Sequence, residues 1–253
     1  MNSRRLVAVL ACRNTGSRLY GKPLQPLKIS TGWRVLDQVI SNLKRFDFID
    51  EIILAISEGN DNMCYKDYAE KSNLRFVVGD EEDVLKRLIL GLDLAEATDL
   101  FRVTSESPFL YWQAVNDAWQ SHVSNNYDAT FLDGIVDGCG FEIITYKSLC
   151  ESWSKGDHRH RSELCSLFLR ENRDHFSICQ IPEPTLLLRR DLRLTVDYPE
   201  DLVVCRAVFD HIQKSNHEID YDLNDIVSFL DRSPSLTSLV YPFTEEGYKN
   251  MYL

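Results

Sequence analysis

Apolar residues recur along this chain with two alternating periods. Leu6-Val7-Ala8-Val9-Leu10-Ala11 is a continuous apolar run of strand length, the pattern of a strand buried on both faces. Val35, Leu36, Val39, Ile40 and Leu43 then fall on one helical face. Glu51-Ile52-Ile53-Leu54-Ala55-Ile56 predicts a second strand, residues 61–71 a polar helix, and residues 75–78 a short third strand. Leu85, Leu88, Ile89, Leu92 and Ala95 form another helical stripe, followed by a strand at 99–103 and a helix at 109–123. Further strands are predicted at 128–132, 141–145, 176–180 and 185–188, with a helix at 161–170, and residues 193–196 begin the closing unit. Pro199-Glu200-Asp201 opens a helix well, because proline suits the first turn and acids suit the positive end of its dipole. Residues 222–230 read as a last amphipathic helix. This alternation predicts an α/β fold with a mostly parallel central sheet and helices on both faces. The less regular stretch 133–192 is expected as a smaller protruding insertion in a single domain spanning 1–253.

Composition narrows the function. The chain has 253 residues and a formal net charge of −11, which argues against nonspecific nucleic-acid binding, since that needs a basic footprint. Seven cysteines (12, 64, 139, 150, 165, 179 and 205) are scattered and odd in number, as in a reduced cytoplasmic protein rather than a disulfide framework. The histidines show no ligand spacing with cysteine, so zinc is not expected. Met1-Asn2-Ser3-Arg4-Arg5 is followed by an apolar run too short for a signal segment or a span, and no other segment is long and apolar enough to span. A cytoplasmic protein without membrane contact is the expectation.

Against that acidic background one loop stands out. Arg13-Asn14-Thr15-Gly16-Ser17-Arg18-Leu19-Tyr20-Gly21-Lys22-Pro23-Leu24 follows the first strand and holds no acid. Its glycines let amide N–H groups turn toward an anion. Its arginines bind phosphate oxygens in two-pronged fashion, and its lysine acts as a point charge. Ligands of open α/β sheets bind beyond the carboxyl ends of the strands, and two more loops there carry Glu106 and Asp197. Each acid alone reads equally well as a helix cap or turn residue. Together with the basic loop they suggest a magnesium–nucleotide site, since magnesium is held by one or two carboxylates plus phosphate oxygens and waters. Gly16 to Lys22 has the Gly-x-x-x-x-Gly-Lys spacing, but Pro23 stands where a P-loop needs serine or threonine.

The basic loop resembles the Arg-x-x-(Gly/Ala)-Ser-x-Arg-Leu-Pro-Gly-Lys-x-Leu signature of the cytidylyltransferases that activate sugars, a family including acylneuraminate and 3-deoxy-manno-octulosonate cytidylyltransferases and spore-coat polysaccharide biosynthesis proteins. Val78-Gly79-Asp80-Glu81-Glu82-Asp83-Val84-Leu85-Lys86-Arg87 is similar to its Arg-Gly-Ser-Glu-x-Asp-Val-Leu-x-Arg, and Arg102-Val103-Thr104-Ser105-Glu106-Ser107-Pro108 to its Arg-Ile-Thr-Gly-Asp-Cys-Pro. Asp137-Gly138-Cys139-Gly140-Phe141-Glu142 is similar to Asp-Gly-Leu-Asp-Val-Glu, and Asp191 to Leu202 matches nearly residue for residue. The resemblance implies a single-domain, Rossmann-like (GT-A-like) nucleotide-diphospho-sugar transferase fold. It implies transfer of CMP from CTP to a nonulosonic or octulosonic sugar acid with release of pyrophosphate. Arg18, Lys22 and Asp197 would be catalytic. Arg13, Thr15, Gly16, Ser17, Arg18 and Lys22 would bind the triphosphate, and Gly79, Asp80 and Asp83 would lie near base and ribose. Glu106 and Asp197 would hold Mg2+. Arg102, Glu142, Arg161 and Glu163 would face the acceptor, and a homodimer is implied.

The departures concentrate on the acceptor side. Glu106 replaces an aspartate, Gly140 replaces the second aspartate of its motif, and Ser162-Glu163-Leu164-Cys165 aligns with an Arg-Glu-His-Val stretch. Two other readings stay open. One is a catalytically silent nucleotide or sugar-binding homologue. The other is a glycosyltransferase that consumes a nucleotide sugar, against which Ser105-Glu106-Ser107 stands in place of Asp-x-Asp.

Overall fold

The first strand organises the sheet. β1 (Leu6–Cys12) alternates its side chains between two cores: Leu6, Ala8, Leu10 and Cys12 into one, Val7 and Val9 into the other. A strand apolar on both faces needs helices on both sides. The structure is a computed structural model that describes residues 4–14, 18–214 and 220–251, without the side chains of 246–251. After β1 come a small hairpin, β2 (Pro26–Lys28) and β3 (Trp33–Arg34), and then α1 (Val35–Leu43). β4 (Ile49–Ser57), α2 (Met63–Lys71), β5 (Arg75–Gly79), α3 (Val84–Ala95) and β6 (Asp99–Arg102) continue the alternation. α4 (Val115–Ser124), β7 (Ala129–Leu132), β8 (Phe141–Thr145), α5 (Tyr146–Lys155), α6 (Leu167–Glu171) and β9 (Ile178–Gln180) follow. The chain closes with α7 (Pro199–Lys214), α8 (Leu223–Asp231) and α9 (Pro234–Met251).

The central sheet has the order β5-β4-β1-β6-β8-β7-β9. All its strands run parallel except β8, which is antiparallel to both neighbours. The stretch 133–192, expected as an insertion, therefore also supplies β8 inside the sheet and β9 at its edge. α1, α2, α7 and α8 pack on the face of the first core, and α3, α5 and α6 on the other. Among the described residues, no helix is long and apolar enough to cross a membrane.

Several predicted elements move. Residues 185–187 form a single 3-10 turn rather than a strand. Residues 193–196, where the closing unit begins, make no strand. Leu194 N–H bonds to the Asp137 carbonyl at 2.8 Å and Val196 N–H to the Glu106 carbonyl at 3.0 Å, so this stretch is stitched to two loops instead of a sheet edge. The helix predicted over 161–170 begins at Leu167, and the helix predicted over 109–123 begins at Val115 after a 3-10 turn.

Gly140 sits where the chain enters β8 against the end of β7. A Cβ there would lie 2.1 Å from the Leu132 carbonyl oxygen, closer than any side-chain carbon tolerates. We expect Gly140→Ala to destabilise the protein by about 1–3 kcal/mol, the usual cost of overpacking, and Gly140→Asp by at least as much. Denaturant unfolding measures both.

Candidate active site

The carboxyl ends of β1 and β6 lie side by side, while the sheet strands that come next in sequence lie to opposite sides, β4 beside β1 and β7 beyond β8 on the side of β6. This is the switch point at which open α/β sheets take ligands. A cavity of about 670 Å³ opens there. Arg13, Asn14, Arg18 and Lys22 line it from the loop after β1, and residues 104–107 from the loop after β6. Asp137, Glu142, Glu163, Arg193 and Asp197 complete it from the second half of the chain.

Arg193 ties three carboxylates together. It is 2 % exposed. Its Nη1 donates to Asp137 Oδ2 at 2.6 Å, its Nε to Asp201 Oδ1 at 3.0 Å, and its Nη2 to Asp197 Oδ2. Asp201, in the first turn of α7, accepts the backbone N–H groups of Asp197 and Tyr198 at 2.8 and 2.9 Å. The side chain and the amide of Asp197 are thus fixed together. Burial pushes Asp137 up to about 6 against the pull of Arg193. Asp197 moves the other way. Burial opposes its charge, but Lys22, Arg193 and Arg18 hold it below the usual carboxylate range.

Lys22 follows Gly21, whose φ of 60° turns the loop back toward the site. Its Nζ donates to Asp197 Oδ1 at 2.6 Å. Arg18 lies over the ring of Tyr198, 5.0 Å from its centroid, and Phe243 of α9 stacks on that ring at 3.9 Å. Glu106 is met by the hydroxyl of Ser105 at 3.0 Å. Burial and then Asp197 push its carboxyl up, while Lys22 pulls it down. Glu106 and Asp197 are two hard oxygen donors that raise each other's energy as anions, a pairing that a divalent cation relieves. Among the described residues no three His, Cys, Asp or Glu side chains gather as a metal cage. Two carboxylates of this kind are donors that magnesium takes together with phosphate oxygens and water.

The far side of the cavity is tightly paired. Arg102 Nη1 donates to Glu142 Oε2 at 2.6 Å and its Nη2 to the Glu163 carbonyl at 2.7 Å. Arg170 donates to the other oxygen of Glu142 at 2.8 Å, where the Ser166 hydroxyl also donates at 2.6 Å. Arg170 also reaches Asp133 at 2.5 Å. Burial opposes ionisation of Glu142, yet Arg102 and Arg170 outweigh it and hold the carboxyl at about 2.

The structure brings together most of the residues singled out in the sequence. Arg13, Arg18, Lys22, Arg102, Glu106, Glu142, Glu163 and Asp197 all line the cavity, and Arg13 pairs with Glu163. Thr15, Gly16 and Ser17 lie outside the described residues. Gly79, Asp80 and Asp83 are not among the lining residues. Asp80 accepts the N–H groups of Glu82 and Asp83, and Asp83 caps α3 through Lys86 N–H, so both carboxylates serve the turn. Glu82, Val84 and Arg87 line the wall there instead. Arg161 also stands apart, donating to the Trp153 carbonyl and lying over the Trp153 ring at 5.3 Å. Sequence reasoning missed Arg193, Asp137, Asp133 and Arg170. Arg193 and Asp137 lie inside motifs already noted. Asp133 and Arg170 have no local pattern.

Fold and site together place a cationic loop and two carboxylates at the switch point of an α/β sheet. No protein-family model matches the chain. It is 22% identical over 247 residues to an uncharacterized protein of Methanocaldococcus jannaschii, covering 98% of this chain and 99% of that one. It is 22% identical over 234 residues to the spore coat polysaccharide biosynthesis protein SpsF of Bacillus subtilis, covering 90% and 95%. A solved cytidylyltransferase from Leptospira borgpetersenii superposes with a TM-score of 0.82 at 17% identity over 92% of this chain and 97% of that one. A CMP:2-keto-3-deoxy-manno-octonic acid synthetase, solved with CTP, superposes with a TM-score of 0.59 at 14% identity over 82% and 99%. These bear out the resemblance to cytidylyltransferases read from the motifs, and the solved structures share this chain's fold.

The Glu142 cluster sets a pH dependence. Its folded pKa of about 2 lies below the ordinary 4.5, so its contribution is present above about pH 4.5 and is lost as pH falls toward 2. A shift of this size corresponds to stability on the order of 3 kcal/mol. We expect the stability of Glu142→Gln to fall less steeply than wild type between pH 5 and pH 3, followed by urea unfolding at each pH.

Proposed function

We propose that this protein is a CTP-dependent cytidylyltransferase that moves CMP onto a hydroxyl of a nonulosonic or octulosonic sugar acid and releases pyrophosphate, for surface polysaccharide or glycan synthesis. One observation carries the reading: Arg18, Lys22, Glu106 and Asp197 line a single cavity at the switch point of the sheet, with Lys22 in contact with Asp197. The comparisons support it through a synthetase solved with CTP and a relative named for polysaccharide biosynthesis. The resemblance also supports a cytoplasmic homodimer.

In this reading the acceptor hydroxyl oxygen forms a bond to the α-phosphorus of CTP. The bond from that phosphorus to the oxygen leading to the β-phosphate breaks, and its electron pair leaves with pyrophosphate. The hydroxyl proton passes to water. Such a transfer needs position and charge neutralisation rather than a protein nucleophile. Arg13, Arg18 and Lys22 bind the triphosphate, and Arg18 and Lys22 offset the charge growing on the departing oxygens. Glu106 and Asp197 would hold Mg2+, which when bound neutralises phosphate charge and lowers the pKa of a nearby hydroxyl. Arg193 keeps Asp197 aimed into the cavity, and the Arg102–Glu142–Arg170 cluster gives the acceptor a rigid wall.

Wild-type protein with CTP, magnesium and a panel of these sugar acids is expected to release pyrophosphate. Lys22→Ala and Asp197→Ala are each expected to lose about 100-fold or more, the scale of a removed electrostatic contact to the transition state, with unchanged circular dichroism. Wild-type rates in either variant would overturn the assignment. CTP binding without pyrophosphate release across the panel would favour a silent nucleotide-binding protein.

A further inference from the structure

Both oxygens of Asp197 are already engaged by cations. Arg193 holds Oδ2 and Lys22 holds Oδ1, the latter at 2.6 Å. The two cations differ in freedom. Arg193 is 2 % exposed and is anchored at the same time by Asp137 and Asp201. The Lys22 side chain is 22 % exposed and carries a compact charge on a flexible stem. It also lines the same cavity as Arg13 and Arg18, on the wall assigned above to the triphosphate. Lys22 is thus poised between two anions, the carboxylate it touches and the phosphates that the proposed reaction brings.

We propose that Lys22 and a divalent cation exchange on Asp197. This inference rests on the cytidylyltransferase reading. The ammonium holds Oδ1 until a triphosphate draws it onto phosphate oxygens, and only then does Asp197 offer that oxygen to the cation. The charge balance favours exchange over co-occupancy. A divalent ion placed on Asp197 beside the Lys22 ammonium sets like charges within a few ångströms of each other. Once the ammonium has moved to the phosphates, the charge of Asp197, which pushes the Glu106 carboxyl up, is met by Arg193 as its buried counter-charge, and a divalent ion restores the balance. Nucleotide and cation then bind cooperatively through Lys22. By linkage, each strengthens the other by the same factor.

The exchange is tested without nucleotide, by titrating the full chain with Mn2+ and reading free Mn2+ from its electron paramagnetic resonance signal. Lys22→Met is expected to bind Mn2+ about 10-fold or more tightly than wild type, about one pK unit of relieved competition. Arg13→Met removes an equal charge from the same cavity wall, where Arg13 pairs with Glu163; it is expected to change the affinity by less than about 3-fold, a smaller shift than the direct contact gives. Lys22→Arg keeps a cation on Asp197 and is expected to bind Mn2+ as weakly as wild type, which keeps the test decisive if the Met variant folds poorly. The proposal is overturned if Lys22→Met binds no more tightly than wild type, if Arg13→Met rises as much, or if Lys22→Arg binds as Lys22→Met is expected to. In EDTA, CTP is expected to bind Asp197→Asn more tightly than wild type, because Lys22 is then released; weaker binding would overturn the exchange. If neither protein binds CTP with magnesium present, the cytidylyltransferase reading itself falls, while the Mn2+ titration still decides whether Lys22 competes for Asp197.

Discussion

Arg193 is the contact on which the site depends. A single buried guanidinium joins Asp137 from the loop between β7 and β8, Asp197 from the loop before α7, and Asp201 from α7 itself. Guanidinium is suited to this because its donors are spread in a fixed planar fork. Buried charges are tolerated only when paired and hydrogen-bonded, and here every arm of the guanidinium has a carboxylate. The cluster converts three separate chain segments into one rigid edge of the cavity. Asp197 inherits that rigidity, because Asp201 also binds its backbone amide.

The two halves of the cavity are built differently. On the side of the first loop the cations stand on partly exposed stems: Arg13 pairs with an exposed acid and Lys22 with a partly exposed one. On the far side Arg102 and Arg170 converge on Glu142, with the Ser166 hydroxyl donating to the same oxygen as Arg170. A phosphate chain can draw the first set into new contacts. The second set presents a fixed surface of oxygens and guanidinium edges. Adaptable charge on one side and a preset wall on the other suit a reaction that depends on holding two ligands in line, as in the proposed transfer.

Much of the fold was legible in the sequence because its strands are buried on both faces and so stand out as unbroken apolar runs. β1, β4 and the helical stripes of α1 and α3 are of this kind. The prediction fails at 185–188, where Leu186-Leu187-Leu188 is also an apolar run. Its backbone turns on itself, Leu187 N–H bonding to the Pro184 carbonyl, instead of pairing with a strand. Periodicity reports which faces are buried, and it is silent on what the backbone bonds to. The hairpin of β2 and β3, as well as α5 and α9, passed unread. The cavity's basic loop and its two acids were legible as composition against an acidic background. Arg170 and Asp133 were not, since they meet only through tertiary packing, 37 positions apart in the chain.

Gly140 shows how a missing functional group is misread from sequence alone. Beside the aspartate found in similar motifs, glycine there suggests a lost acceptor contact. In this chain the backbone of Gly140 crosses the end of β7 so closely that the Leu132 carbonyl fills the place of a Cβ. The close crossing is part of how β8 enters the sheet antiparallel to β6 and β7, and that entry carries Glu142 between Arg102 and Arg170. The residue is small because the strand must pass, and the strand delivers the carboxylate that locks Arg102 and Arg170 in the cavity wall. A position that looks like an absence of chemistry is therefore a condition for the chemistry two residues later.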